Sequence, residues 1–512
     1  MCLLEHCQKI NVNQTLNPLM QKVVDFLNSI IWSPALIVLC LVAGLFFSVV
    51  TRFVQVRLFR EMWRLLVTGT SSERGISTCQ ALTVSLSGRV GTGNIAGVAA
   101  AIGFGGPGAV LWMWVVAFLG AATSYVEATL GQIYKEVDNK QYRGGPAYYF
   151  EKALGRSWYA WIFAFATILA CGFLLPGVQA NSIGNAVALT IGDGNSIDTI
   201  IGDLDTTKLV TAVIVLSFLS IIIFGGVKRI AFVTQFVVPF MAIAYISVAC
   251  VVVAINISEL PRIFGLVISD ALSPMAGVGA AIGWGVKRGI YSNEAGQGMG
   301  PHSAAAAEVA HPAQQGLVQA LAVYVDTLFI CTATALMILI TGAYNVHGEG
   351  PAFLVQNLGA DIAANSPAFT QLAIENVLPG FGKPFVALAL LFFSFTTILA
   401  YYYIAETNLA YLLRKIKLPG AMTSLKIGLM LSTFYGAVKT ADLAWGLGDI
   451  GVGLMAWLNI VGILIIFFMA KPAVTALLDY ENQRKMGGYN LRFDPKKLGI
   501  KNAHFWENET SD

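Results

Sequence analysis

Two stretches of the chain combine glycine with polar side chains in a way that could hold a small charged solute. One reads Ser87-Gly88-Arg89-Val90-Gly91-Thr92-Gly93-Asn94-Ile95-Ala96-Gly97. The other runs from Gly277-Val278-Gly279 through Gly283-Trp284-Gly285 to Ser292-Asn293-Glu294-Ala295-Gly296. Each glycine inside a helix costs on the order of 1 kcal/mol against alanine, so these clusters predict broken helices. A break frees carbonyl oxygens to ligate a cation and half-helix N-termini to hold a carboxylate. The plainer reading is that glycine lets helices approach closely.

Further along stand groups of the same character. Arg89 either snorkels toward the membrane surface or forms a gate pair with Glu127 or Glu294. Asp326 either pairs with an arginine or relays a proton. Gln179 and Asn181 serve a polar ligand or a helix–helix amide contact. The run Phe393-Ser394-Phe395-Thr396-Thr397-Ile398 offers hydroxyl oxygens to a hard cation, although threonine in a helix also bonds its own i−4 carbonyl. Tyr401 shares a face with Thr397 and either shapes a small pocket or packs in the bundle.

The elements that must position these groups are membrane helices. Of 512 residues, 56% are hydrophobic and 12% charged, about half the charge of an ordinary soluble domain, so lipid is the solvent for much of the surface. Spans of roughly 20 apolar residues are expected near 29–50, 79–103, 107–133, 158–190, 208–225, 230–255, 264–296, 312–342, 384–408, 421–438 and 443–470. That makes eleven, and the two glycine clusters fall in the second and seventh. With 29–50 set aside, the breaks open two groups of five helices, the arrangement that points to a transporter site. Most of the 32 Lys and Arg fall on one side if the N-terminus is outside, among them Arg52, Arg57, Arg60, Arg64, Lys135, Arg143, Lys152, Arg414, Lys415 and the tail from Lys471 to Lys501. The acidic loop at 191–205 then lies outside, and the C-terminus is cytoplasmic. The polar N-terminal stretch interrupted by Pro18 does not read as a cleaved signal peptide. Seven cysteines without a C-x-x-C pair read as small hydrophobes.

Net charge of +3 is too small to argue for nucleic acid. No G-x-x-x-x-G-K-[ST], H-E-x-x-H or G-x-S-x-G is present, which removes the sequence support for nucleotide-driven transport and for common hydrolase chemistry. Gly446-Leu447-Gly448-Asp449-Ile450-Gly451 matches G-x-G-x-x-G without a preceding strand and reads as chance. Five scattered histidines make no metal cluster.

The motifs Gly91-Thr92-Gly93-Asn94-Ile95-Ala96-Gly97-Val98-Ala99, Gly105-Gly106-Pro107-Gly108-Ala109, Arg288-Gly289-Ile290-Tyr291-Ser292-Asn293-Glu294-Ala295-Gly296 and Phe395-Thr396-Thr397-Ile398-Leu399 resemble the alanine or glycine:cation symporter family, as do Phe53-Val54-Gln55-Val56-Arg57 and Arg143-Gly144-Gly145-Pro146-Ala147. The likeness spans about residues 30–500. It implies an all-α integral membrane protein of the leucine-transporter type: a five-plus-five inverted repeat with broken first and sixth core helices, preceded by one extra helix. The expected divisions are an N-terminal segment at 1–76, repeats at 77–256 and 257–470, and a basic cytoplasmic tail at 471–512. The resemblance also implies Na⁺-coupled uptake of alanine or glycine across the cytoplasmic (inner) membrane, with Na⁺ as coupling ion and no organic cofactor. It places the Ser87 and Val90 carbonyls with Thr396 and Thr397 at the Na⁺ site. Thr92, Gly93, Gln179, Tyr291, Thr397 and Tyr401 would border the substrate, and the set is completed by Asn94, Ser292 and Asn293. The amino acid carboxylate is expected on amides of the first break and its ammonium on carbonyls of the second. H⁺ coupling through Glu127, Glu294 or Asp326 is the alternative within this class, and a gated channel is the rival from another.

Overall fold

The computed structural model describes residues 12–67, 75–138, 141–199, 202–273, 278–348, 350, 352–487 and 491–509. Its main helices are α1 (Val12–Ile31), α2 (Pro34–Val50), α3 (Thr78–Arg89), α4 (Val98–Gly105), α5 (Ala109–Ile133), α6 (Ser157–Ile191), α7 (Thr206–Ile223), α8 (Gly226–Ile255), α9 (Leu260–Ala271), α10 (Val278–Asn293), α11 (Gly300–Ala306), α12 (Pro312–Thr341), α13 (Gly382–Leu413), α14 (Ala421–Val438), α15 (Ala441–Ala470), α16 (Pro472–Lys485) and α17 (His504–Glu509). Among the described residues three two-stranded hairpins decorate the loops.

Among the described residues seven helices are long and apolar enough to cross a membrane, namely α5, α6, α7, most of α8, α12, α13 and α15. The count becomes eight if α1 and α2, bent by 42° at Trp32-Ser33 before Pro34, act as one span. The apolar windows of α5, α12 and α13 are 67%, 67% and 72% buried and those of α7 and α8 only 22% and 28%, so the first three form the inside of the bundle. Phe218, Phe232, Phe236 and Phe240 on α7 and α8 point outward, as residues do where lipid replaces water.

Caps fix where the site-bearing helices begin. Ser77 accepts from the Gln80 amide while Gln80 returns a bond to the Ser77 amide, a capping box that starts α3. Thr440 caps α15 singly, its hydroxyl accepting from the Leu443 amide.

The first expected break is present: α3 stops at Arg89, Val90 is extended, and the chain re-enters through a π-helical turn at Gly93–Gly97 before α4. The second is displaced. The expected span 264–296 divides into α9 and α10, with residues 274–277 outside the description, and the break falls at the C-terminal end of α10, where Glu294, Gly296 and Gly298 take φ of 58°, 83° and 80°. The chain then continues through α11. The glycines from Gly279 to Gly289 do not interrupt α10. A Cβ on Gly285 would lie 2.5 Å from the Ala109 carbonyl oxygen, and one on Gly289 would collide with Val116, so these two serve close packing on α5. Gly277 lies outside the described residues.

Candidate functional site

The two breaks meet. A Cβ on Gly93 would sit 3.2 Å from the Ser292 Cα and 3.3 Å from the Tyr291 ring, so glycine lets the first broken span approach the second without the few tenths of an ångström that a side chain would need. The backbone opened by the first break is held by side chains. The Gly91 amide donates to Asn94 Oδ1 (2.9 Å) and the Thr92 amide to Gln179 Oε1 (3.0 Å), while the Thr92 and Ser394 hydroxyls pair at 3.0 Å. Every one of these side chains is buried. Borrowed side-chain acceptors replace the i−4 carbonyls that the break removed, as unwound backbone at membrane depth requires.

α13 closes the other side. Thr397 Oγ1 stands 2.7 Å from the Ser87 carbonyl, 3.4 Å from that of Val90 and 2.9 Å from Phe393 O of its own helix, so three oxygens gather on one hydroxyl. A Cβ on Gly91 would fall 2.5 Å from that hydroxyl. Thr396, one residue earlier and about 100° around the helix, turns its hydroxyl to Phe392 O and Phe393 O and does not reach the break. Ser87, Val90 and Thr397 are thus brought together, and Thr396 stands apart from them.

Tyr291, Tyr401 and Gln179 also converge: the Gln179 amide lies beside both phenols. The Tyr291 ring packs on Trp445 at 4.9 Å. Ser292 and Asn94 both donate to Asp326, Asn94 at 2.6 Å and Ser292 at 2.9 Å. Asn293 spends its carbonyl oxygen on the Ala295 amide, within its own break.

The charged candidates divide. Arg89 has a side chain with no exposure, so it does not snorkel; it donates to Gln319 O at 3.0 Å and to Ser124 Oγ at 3.2 Å, with Glu294 at 3.9 Å. Glu127 instead accepts from the amides of Gly296 (3.3 Å) and Gly298 (3.1 Å) and from Asn459 Nδ2 (2.7 Å), which ties the second break to α5 and α15. Arg89 and Glu294 therefore face each other, while Glu127 holds backbone.

One charged group was not singled out from the sequence as functional. Asp449 on α15 accepts from both terminal nitrogens of Arg288, at 2.8 and 3.0 Å, and pairs with Lys287 at 2.7 Å. These groups, with Trp284, Trp445 and Trp32, line a cavity of about 760 Å³ that ends one ring from Tyr291. The signal was available: an acid in one apolar span and two bases in another must find partners. The residues read as a chance glycine motif carry that acid.

Comparison with known proteins agrees on one family. The model of the sodium:alanine symporter family matches residues 17–494. A Bacillus subtilis (strain 168) protein, YrbD, named for sodium/proton-dependent alanine carriage, is 55% identical over 490 residues, covering 95% of this chain and 97% of its own. The sodium/proton-dependent alanine carrier protein of Bacillus sp. (strain PS3) is 49% identical over 87% of this chain and 97% of its own. The sodium/alanine symporter AgcS of Methanococcus maripaludis is 36% identical over 86% and 94%.

Proposed function

Because the chain belongs to the sodium:alanine symporter family, and is therefore an amino-acid:cation symporter and not an enzyme, we propose that it couples Na⁺ entry to uptake of alanine, with glycine as a second small substrate. The observation that supports this most directly is the Thr397 hydroxyl set against the Ser87 and Val90 carbonyls at the first break. Hard oxygen donors of this kind suit Na⁺. Beside them stand Gly91, Thr92 and Gly93, with Gln179 against the phenols of Tyr291 and Tyr401, a set of groups that suits a small substrate. The zwitterion's carboxylate takes amides of the first break in place of the Asn94 and Gln179 oxygens that hold those of Gly91 and Thr92, and its ammonium rests on carbonyls of the second, near Ser292 and Asn293.

The same reading orders the helices as an extra N-terminal span followed by two inverted groups of five, eleven in all. The broken spans α3–α4 and α10–α11 open the two groups, divided at 77–256 and 257–470. The chain lies in the cytoplasmic membrane with its N-terminus outside and its tail, 471–512, inside. On this orientation the 760 Å³ cavity opens outward, and the Arg89–Glu294 side faces the cytoplasm. Na⁺ binding favours the state that holds the amino acid, and coupling requires that each favour the other by the same free energy.

The test is [¹⁴C]alanine uptake into proteoliposomes under an inward Na⁺ gradient and, separately, under a pH gradient. Accumulation driven by Na⁺ is expected. Accumulation driven only by pH would move coupling to Glu127, Glu294 or Asp326. Flux that cannot accumulate alanine under either gradient would favour a channel.

A further inference from the structure

The short helices Val54–Arg57 and Phe59–Val67, which follow α2, are apolar on two sides. Val54, Met62 and Leu65 are buried against the bundle, whereas Phe53, Val56, Phe59 and Trp63 are between 38% and 56% exposed. In water such a face would be a patch without a cover. Here it continues the outward stripe of α2, Val42, Leu45 and Val49, which faces lipid.

Arginine accompanies these apolar groups. Residues 52–64 hold four arginines and a single glutamate. Arg57 is paired with Glu481 and Arg64 with Glu61. Arg52 and Arg60 are exposed and make no ion pair among the described residues. Arg60 comes four residues after Val56 and three before Trp63, so the three share one face. Arginine beside tryptophan, at the end of an apolar stripe, fits the headgroup layer: the ring lies at the level of the upper acyl chains and the guanidinium meets phosphate.

The turn that presents the face is unusual, and the segment is fastened to the transport core. Arg52 and Phe53 take φ of 56° and 53°, a backbone that L side chains rarely adopt and that persists only where the surroundings fix it. The Phe53 amide donates to Ser48 O at 2.6 Å, and Arg57 Nη2 to Thr51 O at 3.1 Å. Gln55 is buried and donates to Ser48 Oγ at 2.8 Å and to Phe118 O of α5 at 3.4 Å. The Phe59 ring lies 6.3 Å from that of Tyr324, whose hydroxyl donates to Gln55 O at 3.4 Å. Tyr324 opens the π-helical turn of α12 whose Asp326 accepts from both breaks. Whatever holds the outer face of this segment therefore also steadies the helix behind the two breaks.

We propose that this face is a binding site for an anionic phospholipid, with Arg52 and Arg60 on headgroup phosphate and Phe53, Phe59 and Trp63 among the acyl chains, and that its occupancy speeds alanine transport. The binding stands on the surface alone. The effect on transport rests on the alanine-uptake reading above.

The experiment places the full chain in phosphatidylcholine vesicles with phosphatidylglycerol as the minor lipid, one or the other brominated to quench nearby tryptophan. The difference between wild type and Trp63→Phe isolates the Trp63 signal. Brominated phosphatidylglycerol is expected to quench it in preference to brominated phosphatidylcholine, the preference falling about fivefold for each of Arg52→Gln and Arg60→Gln. Arg156→Gln, which removes a different exposed base, is expected to leave the preference unchanged. Equal quenching by the two lipids, or a preference that survives both substitutions, overturns the site. A loss in Arg156→Gln as large as theirs also overturns it, because general surface charge would then explain the effect. In the same vesicles without bromine, phosphatidylglycerol is expected to raise wild-type [¹⁴C]alanine uptake severalfold and to leave that of the double variant unchanged. An equal rise in both overturns the role in transport. Absence of alanine uptake in every vesicle, with the quenching preference intact, would sink the alanine reading and leave the lipid site standing.

Discussion

The oxygen cluster at Thr397 depends on one hydroxyl among several in the sequence. Removing it leaves the Ser87 and Val90 carbonyls buried without that donor and takes one oxygen from the cation, a loss of roughly 1–3 kcal/mol. Thr397→Val is therefore expected to raise the Na⁺ concentration for half-maximal uptake by about five- to 150-fold, and by reciprocity to weaken alanine binding as well. Thr396→Val removes a hydroxyl already bonded within its own helix and should change either value by less than about threefold. Equal effects from the two variants would refute the assignment to Thr397. Two adjacent threonines were legible in the sequence as a hydroxyl pair. Which of them faces the break was not, because that depends on the rotation of α13 against α3. Asp449 shows the opposite case, since its need for Arg288 and Lys287 follows from charge in apolar spans alone. Asp449→Asn strands two bases, one of them 2% exposed, and is expected to destabilise the fold by about 3 kcal/mol, read as a lower melting temperature in detergent.

At the scale of elements, glycine does two different jobs that composition does not separate. The first cluster breaks its span because the Val90 carbonyl and the Gly91 and Thr92 amides turn to the side chains of Thr397, Asn94 and Gln179, the first and last of them far away in sequence. The second cluster was read as a break along its whole length, yet α10 is continuous through Gly289, and the chain turns only where Glu294, Gly296 and Gly298 have positive φ. Close packing and chain reversal use the same residue, and only the neighbours decide between them. Substitution makes the difference measurable. Gly298→Ala meets φ of 80° and Pro146 Cγ at 2.5 Å, so it is expected to cost more than about 1 kcal/mol and to disturb the Glu127 anchor. Gly279→Ala meets no atom within 4 Å and has ordinary helical backbone; it is expected to be neutral or stabilising by up to about 1 kcal/mol. Thermal melts of the two purified variants check the pair, and comparable losses would show that the break is not at 294–299.

Over the whole molecule, the segment after α15, which the sequence marks as a basic tail, fastens the face where α5 ends and α12 begins. Trp506 of α17 donates to Gln132 O at 2.9 Å, and Gln132 and Lys135 both donate to the Ala307 carbonyl just after α11. Lys135 also lies over the rings of Phe505 and Trp506. α16 adds Glu481 to Arg57 at 2.7 Å, and Tyr480 and Arg484 to Glu61. Charge counting saw the lysines of the tail but had no means of placing Tyr480 or Trp506, whose partners lie hundreds of residues away. Glu61 makes the fastening pH-dependent. Burial pushes its carboxyl up, but the hydrogen bonds from Arg64 and Tyr480 and the charges of Arg64 and Arg484 outweigh it and hold the group below its ordinary 4.5. A lowered folded value means that the contribution is fully present above pH 4.5 and disappears as pH falls through the lower folded value. Acidification below about pH 4.5 should therefore loosen α16 from the helix Phe59–Val67 that carries Glu61, read as faster proteolysis of the tail, and Glu61→Gln should loosen it already at neutral pH. Because the same face closes the bundle around α11, Trp506→Ala is expected to raise alanine efflux from loaded proteoliposomes relative to uptake. If efflux and uptake change in proportion, the tail only stabilises the fold and does not bear on which side of the bundle opens.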